Sequence, residues 1–129
     1  MGILDYFWRR LPNGVYVFNY HRIGDKSATM FDRGVFSCSA EAFEQQIIEL
    51  KRNFEIIDTI QLSQLIKNNR LSNKRYALLT FDDGYIDNYQ IAFTVLKKHK
   101  VPGVFFVATD FLNADVLPWW DEMAFILRN

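Results

Sequence analysis

Asp82 and Asp83 stand side by side at the end of the run Arg75-Tyr76-Ala77-Leu78-Leu79-Thr80-Phe81, and Gly84 closes it. Two like charges beside an apolar strand are costly unless a metal, a shared proton or a positive partner compensates them. The pair therefore points to chemistry. A divalent cation on one carboxylate would neutralise much of the local field. The other carboxylate would then be free to act as general base toward a cation-bound water, whose pKa a metal can bring down to about 7. Neighbouring residues on a strand face opposite ways. The two aspartates can share one site only if the strand geometry breaks, and Gly84 permits that break. A second reading stands beside this one: both aspartates cap a helix starting near Tyr85, where negative charge suits the N-terminus.

The flanking elements read as an alternation of strands and helices. Val15 to Tyr20 is a β-branched and aromatic stretch after the turn signal Pro12-Asn13-Gly14, and His21 ends it. Residues 24 to 36 read as a loop. Ser39 is the expected N-cap of a helix to about Arg52, with Phe43, Ile47 and Leu50 on its apolar face. Phe54 to Ile57 reads as a short strand, and Leu62, Leu65 and Ile66 indicate a second helix. Tyr76 to Phe81 is the central strand, apolar on both faces. Ile86, Tyr89, Phe93 and Leu96 then recur at helical spacing. That helix ends near His99, and Val104 to Ala108 forms the next strand. Strand, helix, strand with this connection is a βαβ unit with parallel strands. A last short helix is expected from Trp120 to Leu127. The class is α/β, and in such folds function collects at the C-terminal ends of the strands. His21, Asp82, Asp83, Thr109 and Asp110 all fall there.

The bulk composition narrows the class further. The chain has 129 residues, half of them apolar and 16% aromatic, enough for a real core. Fifteen basic and fifteen acidic residues cancel, which gives no electrostatic footprint for nucleic acid or an anionic membrane. One cysteine, Cys38, excludes an internal disulfide and reads as a small buried hydrophobe. No apolar run reaches a membrane span, and the N-terminus lacks the pattern of a secretory signal, so a cytoplasmic location is the default.

Thr80-Phe81-Asp82-Asp83-Gly84 with Tyr85-Ile86-Asp87-Asn88-Tyr89 resembles the first motif of the polysaccharide deacetylases, which carry the NodB homology domain and form carbohydrate esterase family 4. Tyr20-His21-Arg22-Ile23 resembles the segment on their first barrel strand. Val101-Pro102-Gly103-Val104-Phe105-Phe106-Val107 resembles their next strand, and Trp119-Trp120-Asp121 a segment after it. The resemblance runs from about Val15 onward. It implies a distorted (β/α) barrel, present as an incomplete N-terminal portion, with residues 1–14 as an N-terminal arm and 15–129 as a partial NodB-like domain.

The activity it implies is removal of N- or O-acetyl groups from a carbohydrate with a divalent metal, commonly Zn2+. Asp82 would be the general base and Asp83 the first metal ligand. The family's other ligands are a later histidine pair. The two histidines here, His21 and His99, do not form such a pair. One carboxylate cannot hold a catalytic zinc, which takes three protein ligands. The chain is therefore expected to represent the first part of a deacetylase. The alternative is a non-catalytic remnant that binds sugar or a partner. An aspartate-based phosphatase would need an Asp-x-Asp spacing, which adjacent aspartates do not provide.

His21, Trp119 and Trp120 are further candidates to line the site. The tryptophans can stack on sugar rings or serve as core or lid packing. His99 is expected to be solvated at its helix end. Asp87 is accounted for by helix-terminus electrostatics, and Phe81 and Tyr85 by the core. An incomplete barrel would expose strand edges and apolar faces, so self-association is also expected.

Overall fold

The computed structural model describes residues 8, 10–112 and 116–128. Most of the expected N-terminal arm therefore lies outside the described residues. At its described part, Trp8 packs edge-on against Phe54, with ring centroids 5.4 Å apart.

The centre is strand β5, Arg75–Phe81, buried along nearly its whole length. Strand β1, Gly14–Tyr20, runs parallel to it in full register, so Asn19 lies opposite Thr80 and Tyr20 opposite Phe81. The other side of β5 is shared end to end. β4, Glu55–Ile56, pairs with Tyr76 and Ala77, and β6, Val104–Phe105, pairs with Thr80 and Phe81. All three pairings are parallel, as the alternating sequence requires. A second, two-stranded parallel sheet joins β2, Arg22–Ile23, to β3, Phe36–Cys38. The sequence pattern puts a plain loop between them. The β2–β3 pairing depends on contacts between segments that have no periodicity of their own.

Helix α1, Ala40–Asn53, starts at Ser39, whose hydroxyl accepts from the Ala42 N–H. Its buried residues are Phe43, Ile47 and Leu50, the face read from the sequence. Helix α2, Thr59–Lys67, begins with a reciprocal capping box between Asp58 and Gln61. Four aromatic rings fix the core below the C-terminal end of β5. Phe81 stacks on Tyr20 at 5.3 Å and on Phe105 at 4.7 Å, and Phe43 meets both Tyr20 and Phe81 edge-on. Burial pushes the Tyr20 phenol up to about 12. Its hydroxyl donates to Gln46 on α1.

The helix after β5 departs from expectation. It opens with a π-helical stretch, Asn88–Phe93, and continues as α3, Thr94–His99. Ile86, Tyr89 and Phe93 are exposed. The buried face is Asp87, Asn88, Ala92 and Leu96. The wider π turns put residues 88, 92 and 96 in line, and a polar pair toward β2 takes the place expected for the apolar stripe. His99 is also not solvated. Its Nε2 lies 2.6 Å from Glu44 Oε1 on α1. Cys38 is only half-buried, packed against the core cluster. Helix α4, Trp119–Arg128, is the last described element. Among the described residues the strands form mixed α/β layers that do not close into a barrel.

Candidate active site

The β1–β5 register builds the site. Asn19 and Thr80 are direct neighbours across the two strands, and Asp82 follows Thr80 by two residues, on the same face. The Thr80 hydroxyl donates to Asn19 Oδ1 at 2.7 Å. The Asn19 amide in turn donates to Asp82 Oδ2 at 2.9 Å. His21, just past the end of β1, brings its Nε2 to 3.9 Å from the same oxygen. The backbone N–H of Asp82 still pairs with the Tyr20 carbonyl, so β1 grips the chain up to the first aspartate.

The strand geometry breaks at the second aspartate. Asp83 has φ +71° and Gly84 φ +70°. The sequence argument places the break at Gly84; the structure starts it one residue earlier, at Asp83 itself. Two successive left-handed residues turn the chain so that Asp83 does not simply take the opposite face. A Cβ on Gly84 would meet Val107 Cγ1 at 2.9 Å, so the turn is also closely packed. Asp83 is pushed above the ordinary carboxylate range, chiefly by burial, with the neighbouring charges of Asp82 and Asp121 adding to the effect and His21 opposing it. The capping reading finds no support at Asp82 or Asp83: among the described residues the hydrogen bond to this carboxylate pair comes from the Asn19 amide and not from a helix N–H.

Asp87 has a different task from the one its position suggests. It is buried, accepts from the Ile23 N–H at 3.0 Å and from Arg22 Nε at 2.8 Å. The Arg22 guanidinium lies 4.4 Å from the Phe36 ring centroid and 4.7 Å from that of Tyr85. Asn88 donates to the His21 carbonyl at 2.6 Å. These bonds lock the Tyr20–Ile23 segment onto the residues after Asp82-Asp83-Gly84 and fix His21 beside Asp82. A negative charge in a first helical turn is satisfied more strongly by a buried guanidinium than by the helix dipole.

Trp120 reaches this region and Trp119 does not. Trp120 Nε1 donates to the Tyr85 hydroxyl at 2.7 Å, and that hydroxyl donates to Asp121 Oδ2 at 2.9 Å. Asp121 is 2% exposed, and its other oxygen accepts from the Asp32 N–H. Burial and the hydrogen bond to Asp121 help hold the Tyr85 phenol protonated. Tyr85 is thus a half-buried polar link more than a core residue. Trp119 is 70% exposed and stacks edge-on against Trp120. Sequence reasoning missed Asn19, Thr80, Tyr85 and Asp121. The signal for the first two was the pairing of β1 with β5, and nothing local announced the last two.

Among the described residues no group of three or more His, Cys, Asp or Glu side chains could hold an ion. Asp83 by itself does not complete a metal centre, and no chemical step is derived through one.

The profile of the polysaccharide deacetylase family matches residues 69–128, which hold the aspartate pair. YxkH of Bacillus subtilis (strain 168), assigned to the polysaccharide deacetylases, is 33% identical over 54 residues, 42% of this chain and 19% of that protein. Among solved structures, IcaB from Ammonifex degensii superposes with a TM-score of 0.62 at 30% identity, over 74% of this chain and 38% of that one. A de-N-acetylase from Aggregatibacter actinomycetemcomitans gives 0.64 at 25% identity, over 81% and 42%. The chain thus spans less than half the length of each of these relatives.

Proposed function

We propose that this chain, whose residues 69–128 match the polysaccharide deacetylase family model, serves the hydrolysis of an N-acetyl group on a carbohydrate. The observation that carries this reading is Asp82 held through one oxygen by Asn19, beside Asp83 in a left-handed turn, at the C-terminal end of a parallel strand. Asp82 is the general base. It takes the proton of the water that attacks the acetamide carbonyl, and the C–N bond breaks to give acetate and a free amine. The name of the Aggregatibacter relative supports the N-acetyl choice.

Asp83 is the carboxylate this chain offers to a divalent cation, Zn2+ by family analogy, whose other donors the described residues do not supply. His21 and Trp120 line the same rim. The barrel, of which these strands form the opening part, belongs to the same proposal. So does self-association, which the exposed Ile86, Tyr89 and Phe93 favour.

The test is acetate release from an N-acetylglucosamine oligomer by the protein expressed from its complete reading frame. Asp82→Asn should lower turnover by at least about a hundredfold while leaving the fold intact. Normal turnover in that variant would exclude Asp82 as base. A second reading, a sugar-binding protein without catalysis, is favoured by the lack of a three-donor cluster among the described residues. Oligomer binding with no acetate release would select it.

A further inference from the structure

We propose that Asn19 is the positioning residue for Asp82, with Thr80 setting its orientation; this rests on the reading of Asp82 as the proton acceptor. An asparagine amide can face a carboxylate with either its NH2 or its oxygen. Only the NH2 is attractive. The Thr80 hydroxyl donates to Asn19 Oδ1 at 2.7 Å, which leaves the NH2 end to reach Asp82 Oδ2 at 2.9 Å. Thr80 is itself buried at 6% exposure and fixed in the centre of the sheet, so the two-bond chain starts from a rigid point. His21 Nε2 sits 3.9 Å from the same Oδ2. Among the described residues no hydrogen bond reaches Oδ1. The arrangement ties down one oxygen and presents the other, which is the atom that must take the proton.

The fold has little other use for this side chain. Asn19 lies on the exposed face of β1 with Val17, away from the aromatic core. Its loss should therefore leave the sheet standing. Catalytic groups need to be held within about 0.5 Å of their productive geometry, and a misplacement of about 1 Å can cost about a hundredfold in rate. The effect of Asn19 belongs chiefly in turnover and not in binding.

The experiment compares Asn19→Leu and Thr80→Val with wild type, using the protein from its complete reading frame and an N-acetylglucosamine oligomer as substrate. Asn19→Leu should lower kcat by about ten- to a hundredfold, with KM nearly unchanged and the thermal midpoint lowered by only about 4 °C, the effect of leaving the Thr80 hydroxyl without its acceptor. Thr80→Val should show the same split, smaller, because the amide can still choose the attractive orientation. If Asn19→Leu keeps wild-type kcat while Asp82→Asn is inactive, Asn19 has no positioning role. If Asp82→Asn also turns over normally, it is the base assignment that fails. A measurement independent of turnover is the side-chain amide resonance of Asn19 in the 129-residue chain. It should shift on Asp82→Ala and on Thr80→Val. An unchanged resonance in Asp82→Ala would overturn the proposal by itself.

Discussion

Replacing Asp87 by alanine should be among the most damaging single changes outside the aromatic core. The carboxylate accepts from the Ile23 N–H at 3.0 Å and from Arg22 Nε at 2.8 Å. The side chains of Arg22 and Asp87 are 15% and 9% exposed. Removing one partner of such a pair leaves the other charge without compensation, a loss of about 3–5 kcal/mol for a buried pair. Slight solvent access at Arg22, and the Phe36 and Tyr85 rings beside its guanidinium, place the expected loss near the lower end, about 3 kcal/mol. A domain of this size has a total stability of about 5–15 kcal/mol. At about 4 °C per kcal/mol, the melting midpoint should fall by about 12 °C.

Urea unfolding followed by circular dichroism measures the loss. Asp87→Asn keeps an acceptor for Ile23 and should lose about half as much. Arg22→Met combined with Asp87→Ala should cost less than the two singles added, by at least about 1 kcal/mol, because the double variant buries no lone charge. A loss below about 1 kcal/mol for Asp87→Ala, or strict additivity with Arg22→Met, would refute the ion pair as the link between the two segments.

Two other outcomes are expected. Gly84→Ala should destabilise by about 1–3 kcal/mol, since φ is +70° and the new Cβ would lie 2.9 Å from Val107 Cγ1. Adding Val107→Ala should recover only part of this in the same urea assay, because the backbone strain remains. Asp83 is held above the ordinary carboxylate range by burial and like charge, so between its unfolded and folded pKa the native state binds more protons. Stability through this group is then greater below that window and falls as pH rises through it. Asp83→Asn should gain stability relative to wild type at pH 7 compared with pH 3.5. A difference that is flat with pH would contradict the raised value.

Much of the architecture was legible in the sequence. Ser39 as a cap, the Phe43, Ile47 and Leu50 face, the two-sided apolar run of β5 and the βαβ unit after it are local patterns, and local patterns carry their own physical reason. The aspartate pair stood out for the same reason: two adjacent carboxylates next to buried strand residues are costly wherever they fold. What the sequence could not show was decided by partners distant in the chain. Asp87 looked like a residue of a helix start until Arg22, 65 positions away, was brought to it. Ile86, Tyr89 and Phe93 looked like a core stripe until the π-helical stretch turned a polar pair inward. Asn19 carried no signal until the strand register set it opposite Thr80 and within reach of Asp82. Residue types and their spacing determined which groups are available to the candidate site. The parallel pairing of β1 with β5 decided how they are aimed, because hydrogen-bond geometry depends on where a partner stands in space and not on how far away it lies in the chain.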